Sequence, residues 1–193
     1  MNRRLLLALF AGITAGATLL AGCAPILVAG AVGGTALVAT DRRSAGAQLD
    51  DESIELKIAN NIGAGYGDQV HVNVTSFNGI VLLTGEVPTK DTLNSIVEIA
   101  RKTPKVRTVH NELLIGPVSS LGSRSNDSYI TAKVKSRFVE ANKFAATRVK
   151  VVTERQVVYL MGLVTHAEGD AAGQLASSTS GVTRVVKVFE YID

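Results

Sequence analysis

From about residue 50 onward the chain moves back and forth between two hydrophobic rhythms. Ile54 and Ile58 follow the polar run Asp50-Asp51-Glu52 at helical spacing, and Ile130, Val134 and Phe138 follow Ser125-Asn126-Asp127-Ser128 in the same way. Each run predicts a helix opening behind Asp or Ser capping side chains. Alternation in Val72-Asn73-Val74 and in Val149-Lys150-Val151 predicts strands. The β-rich runs Ile80 to Gly85 and Val157 to Gly162 come after the two-residue steps Asn78-Gly79 and Arg155-Gln156. Asn-Gly between two such runs is a strong hairpin signal. A helical stretch then covers Thr89 to Lys102 and again His166 to Ser178, and last strands cover Val106 to Ile115 and Val182 to Tyr191.

The order is therefore helix, strand, strand, helix, strand, written twice at an offset of 76 to 77 residues. The expected domains are 50–116 and 126–193, joined by a Ser- and Gly-bearing linker over 117–125. Units of about 65 residues fold alone only marginally, so packing the copies together would steady both. Gly169 and Gly173 in the fourth helical stretch each cost about 1 kcal/mol relative to Ala, which makes it the weakest helix signal.

Ahead of the repeats, Asn2-Arg3-Arg4 precede Leu5 to Leu20, a stretch without a charge. That is the order of a bacterial export signal. It ends in Leu20-Ala21-Gly22-Cys23, which resembles the lipobox of bacterial lipoproteins. The resemblance implies that residues 1–22 are removed as a signal peptide and that Cys23 is acylated, palmitate included. Each buried acyl methylene contributes about 0.8 kcal/mol, and two or more chains hold stably where one does not. Ala24 stands where Asp would favour inner-membrane retention, so outer-membrane sorting is the expectation. Residues 23–49 read as the acylated start and a tether, in which 24–39 lie near the membrane surface or pack through their small residues on a partner.

The repeat order, the apolar hairpin strand ending in Gly85 or Gly162, and the later Val-x-x-Val strand resemble the BON domain. With the lipobox, the whole chain resembles the dual-BON outer-membrane lipoproteins. Thr40-Asp41-Arg42-Arg43-Ser44, Gln48-Leu49-Asp50-Asp51 and Ser125-Asn126-Asp127 share in that resemblance. It implies an α+β fold: two tandem BON domains, each a small three-stranded mixed sheet packed on two helices. Two positions depart from the family pattern. Lys105 replaces the Gly that copy two keeps at Gly181, and Tyr129 stands where the family would place a Trp.

Composition adds exclusions. The 193 residues are 46% hydrophobic and 5% aromatic, with no Trp and one Cys, so an intramolecular disulfide framework is ruled out. The mean hydropathy of +0.23 is raised by the export signal. His71, His110 and His166 are scattered singly, with no His-x-x-x-His or Glu-x-x-His pair. No metal, cofactor or catalytic site is expected, and the chain reads as a non-enzyme. Gly63-Ala64-Gly65-Tyr66-Gly67 follows a helix and lacks the Lys-Ser or Lys-Thr of a phosphate loop. Asp50-Asp51-Glu52 read as helix caps.

Charge separates the copies. The formal +3 is too weak to point to nucleic acid, but residues 50–116 hold six basic and nine acidic side chains while 124–193 hold ten basic and seven acidic. On the first helix of copy two, Tyr129, Lys133 and Arg137 share a side that borders the stripe Ile130, Val134 and Phe138. An aromatic and cations beside an apolar stripe suit an interfacial helix on anionic lipid, whereas the plainer reading makes that stripe the core face. The family resemblance favours lipid, with phosphatidylglycerol and cardiolipin as partners and envelope integrity as the role. The alternative is an adaptor whose acidic first domain docks an envelope assembly or peptidoglycan-linked protein.

Overall fold

The computed structural model describes residues 41–193; the export signal, Cys23 and residues 24–40 lie outside the described part. Helix α1 (Ala45–Tyr66) leads into strands β1 (His71–Phe77) and β2 (Ile80–Val87), helix α2 (Lys90–Lys102) and strand β3 (Thr108–Ile115). Helix α3 (Leu121–Ala141), strands β4 (Val149–Glu154) and β5 (Val157–Val164), helix α4 (His166–Ser177) and strand β6 (Arg184–Tyr191) repeat that order. Each copy forms one mixed sheet, ordered β1-β2-β3 or β4-β5-β6, antiparallel across its hairpin and parallel to its last strand.

Both long helices start earlier than the polar runs suggest. Ser44 accepts a hydrogen bond from the Ala47 amide at 3.1 Å, and Ser120 accepts one from Ser123 at 3.2 Å, which caps α1 and α3. Residues 45–49, expected in the tether, and 121–125, expected in the linker, are therefore helical. Asp51 and Asp127 lie inside the helices, buried, and cap nothing there. Each instead holds the hairpin of its own copy. Asp51 accepts from the Asn78 and Gly79 amides at 2.7 and 2.8 Å, from Ser76 Oγ at 2.6 Å and from Arg43 at 2.8 Å. Asp127 accepts from the Arg155 and Gln156 amides at 2.9 and 2.8 Å.

Those amides belong to two-residue turns with both central residues at positive φ: 52° and 75° in copy one, 49° and 65° in copy two. That is the type I′ turn, natural for Asn-Gly and strained for Arg-Gln. The buried carboxylate offsets the strain. Lys105 also takes a positive φ of 72°, matching Gly181 at 96°, so the turn before the last strand survives the loss of glycine. The glycines of α4 have a packing reason. A Cβ on Gly169 would stand 3.1 to 3.3 Å from the Tyr191 and Phe189 rings, and one on Gly173 would stand 2.6 Å from the Lys187 stem. Helix α4 lies too close on β6 for larger residues.

The sheets bury both faces. Val81, Leu83 and Val87 pack under α1 and α2 with Ile54, Ile58, Ile62 and Ile96. Val158, Leu160 and Val164 pack under α3 and α4 with Ile130, Val134 and Phe138. The alternate residues Leu82, Tyr159 and Met161 meet Phe77 and Val188 in a third core formed between the two sheets. Strands buried on both sides read as continuous apolar runs, as Ile80 to Leu83 and Val157 to Met161 do.

Asp127→Ala should lower the unfolding free energy by about 2–4 kcal/mol, because two turn amides lose a charged acceptor. Changing Arg155-Gln156 to Asn-Gly in that variant should return about 1 kcal/mol. Urea unfolding of the three proteins measures both.

Candidate functional site

Helix α3 is held by its apolar stripe. Ile130, Val134 and Phe138 are 1%, 0% and 1% exposed and belong to the core of copy two, as Ile54, Ile58 and Ile62 do in copy one. Their expected contact with lipid is corrected by this burial: the folded domain keeps all three away from any membrane. A 3.6-residue stripe marks the buried face and carries no information about what lies outside.

The other half of the expected site is at the surface. Tyr129 is 63% exposed, and Lys133 Nζ lies 4.9 Å from the centre of its ring. Tyr129, Lys133 and Arg137 border a shallow hollow of about 460 Å³ that ends at Thr179 and Ser180. Lys133 donates to the Ser180 carbonyl, and Arg137 donates to the Leu175 carbonyl at 3.1 Å and to Thr179 Oγ1 at 3.0 Å. Both cations thus sit on carbonyls at and just beyond the C-terminus of α4, where the helix dipole favours positive charge. Lys135, Val139 and Lys143 are exposed further along the same element and its end.

Much of the remaining charge of copy two is spent inside the molecule. Lys150 pairs with Glu55 at 2.8 Å, Arg155 with Glu86 at 3.5 Å and Arg184 with Glu112 at 3.5 Å. In return Arg107 reaches Glu190 at 3.0 Å and lowers its pKa. Each copy thus gives the other an arginine from the start of its last strand or the residue before it, and charge crosses the seam in both directions. Tyr159 donates to Glu112 at 3.3 Å; burial first, then that carboxylate, pushes its phenol up to about 12. The opposite net charges of the copies find each other.

A second cluster ties the start of the described chain to copy two. Arg42 meets Glu168 at 2.6 Å and donates to the Leu163 carbonyl, while Arg148 meets the other Glu168 oxygen at 2.6 Å. Glu168 also closes a capping box with Thr165 at the start of α4. Burial alone would raise its pKa, but the hydrogen bonds from Arg42, the Thr165 amide and Arg148 outweigh it and hold the group at about 2. Of the histidines, His110 is exposed, His166 stacks on Tyr191 with ring centres 4.0 Å apart, and His71 lies on the seam between the copies.

The BON domain model matches residues 50–117 and again residues 126–193. The chain belongs to the BON-domain family. Over 187 residues it is 41% identical to the outer membrane lipoprotein DolP of Haemophilus influenzae, covering 94% of this chain and 95% of that protein. Over 154 residues it is 38% identical to a 21 kDa hemolysin of Actinobacillus pleuropneumoniae, covering 79% of each. A shorter match, 36% identical over 69 residues, joins it to the osmotically-inducible protein Y of Escherichia coli, covering 35% of this chain and 34% of that one. This is a dual-BON outer-membrane lipoprotein, lipid-anchored and facing the periplasm. Among the described residues no helix is long and apolar enough to cross a membrane.

The Glu168 cluster generates a pH prediction for this BON protein. Its folded pKa of about 2 lies below the ordinary 4.5, so its contribution to stability is complete above about pH 4.5 and is lost as pH falls toward 2. Melting temperatures from pH 6 down to 2 should show wild type losing its lead over Glu168→Gln across that window.

Proposed function

We propose that this protein is a non-enzymatic lipoprotein, acylated at Cys23, whose second BON domain contacts anionic phospholipid and so supports envelope integrity. The observation that carries the reading is the rim of α3. Tyr129, exposed and amphipathic, stands beside Lys133 and Arg137 on the helical side of the domain, across its sheet from the seam with copy one. An aromatic ring with an apolar body and a wet edge suits the headgroup level, and each cation near an anionic surface adds about 1 kcal/mol. Lys133 and Arg137 keep their α4 carbonyls while their charge borders the same hollow as Tyr129. The apolar contact falls to Tyr129 alone of the aromatic and aliphatic residues first expected there.

A second reading, an adaptor, is favoured by one feature of copy one. Leu56 is 64% exposed on α1 and borders a groove of about 500 Å³ lined by Glu52, Glu55, Ala59 and Val72 to Val74. Among the described residues strand β1, along that groove, pairs with β2 only. A crosslinking probe at Leu56 in cells would give a discrete partner band for an adaptor and none for a lipid reader.

Residues 41–193, without the anchor, should float with vesicles of phosphatidylglycerol or cardiolipin and stay behind with phosphatidylcholine. Tyr129→Ala, which leaves the α4 contacts of Lys133 and Arg137 in place, should weaken flotation about fivefold or more, the equivalent of about 1 kcal/mol. Equal flotation on neutral and anionic vesicles would sink the lipid reading. Independently, Cys23→Ala should abolish palmitate labelling and release the protein from the membrane fraction.

A further inference from the structure

The seam between the two BON domains gives nearly every carboxylate its own cation, with one exception. His71 opens β1, Glu86 lies opposite it in the β1–β2 register, and Glu154 ends β4 of the other domain. One ligand atom from each, the ring nitrogen and two carboxylate oxygens, lies within 4.8 Å of the others. Glu86 is 0% and Glu154 5% exposed. Glu154 accepts hydrogen bonds from Asn73 Nδ2 at 2.8 Å and from Thr84 Oγ1 at 3.5 Å, neither of them charged. The cation facing Glu86 is Arg155, half exposed and at 3.5 Å. Two buried carboxylates thus share one distant guanidinium and the His71 imidazole, whose Nε2 lies 3.8 Å from Glu154 Oε1.

We propose that His71, Glu86 and Glu154 bind a divalent transition-metal cation of the zinc type, which clamps the first BON domain to the second. One imidazole nitrogen and two carboxylate oxygens are ligands that zinc accepts at about 2.0–2.2 Å, which asks donors to stand about 3–4 Å apart. His71 Nε2 and Glu154 Oε1 are 3.8 Å apart already. The outer oxygens are held in place: Asn73 donates to Glu154 Oε2 and the Ser119 amide to Glu86 Oε2 at 3.1 Å, while Glu86 Oε1 faces Arg155 at 3.5 Å, a long contact that an ion would replace. A cation would supply the positive charge that two buried carboxylates side by side lack.

Access is provided. A cleft of about 240 Å³ between the domains is lined by His71, Asn73, Asp127 and Glu154, with Arg124 on its wall. The imidazole sets the selectivity, since magnesium and calcium take oxygen ligands. Because the ligands come from both domains, binding would stabilise the packed pair by mass action.

The test uses the full-length acylated protein in detergent, stripped with a chelator and titrated with zinc chloride against a chromophoric competitor, with melting temperature read in parallel. Wild type should bind one zinc per chain and melt higher with it. His71→Ala and Glu154→Gln should each bind about tenfold or more weakly and lose the zinc-dependent rise, while His166→Ala behaves as wild type. His71 sits at a strand end, so His71→Ala should keep the metal-free melting temperature and separates ligand loss from misfolding. Zinc affinity unchanged in His71→Ala and Glu154→Gln, loss of binding in His166→Ala, or displacement of zinc by equimolar magnesium would each overturn the proposal.

Discussion

Each three-stranded sheet of this protein has two apolar faces and only two helices to cover them. The helices take one face in each copy, and the other faces are left with Leu82 on β2 and Tyr159 and Met161 on β5. Buried side chains of this kind contribute about 1.5–3 kcal/mol each, a large share of what a domain of about 65 residues can muster alone. The sheets therefore pack on each other. The ion pairs, the seam histidine and the orientation of both helical layers follow from that one burial.

Sheet-on-sheet packing places charged strand ends opposite one another, and the two copies have diverged in sign to match. Lys150, Arg155 and Arg184 of copy two meet Glu55, Glu86 and Glu112 of copy one, and Arg107 meets Glu190 in the reverse sense. The basic excess available to an external surface is consequently smaller than the composition of copy two suggests. Part of what is left borders the α3 rim at Lys133 and Arg137, across the sheet of copy two from the seam.

Local geometry is governed by buried carboxylates at equivalent places. Asp51 and Asp127 reach from the first helix of each copy to the amides of its hairpin turn, linking helix to sheet through the least forgiving backbone in the fold. With Asn-Gly the turn is favourable and the carboxylate adds to it; with Arg-Gln the carboxylate compensates for left-handed backbone at two residues with side chains. The repeat has kept the acceptor while the turn residues drifted.

The sequence by itself determined the repeat, the order of elements, the strands and the apolar stripes, because those depend on periodicities of 2 and 3.6 that neighbouring residues impose on one another. It also made Tyr129, Lys133 and Arg137 legible as one helical face. It could not show which neighbour of that face is buried, since Ile130, Val134 and Phe138 obey the same period whether they meet a core or a membrane. Nor could it place the helix starts, where Ser44 and Ser120 cap nearly two turns ahead of Asp51 and Asp127, or give those two acids their partners. Only the tertiary structure joined the two sheets, matched the charges of the copies and gathered His71, Glu86 and Glu154. Those three lie on separate strands of two domains, and contacts between residues far apart in the chain leave no local pattern to read.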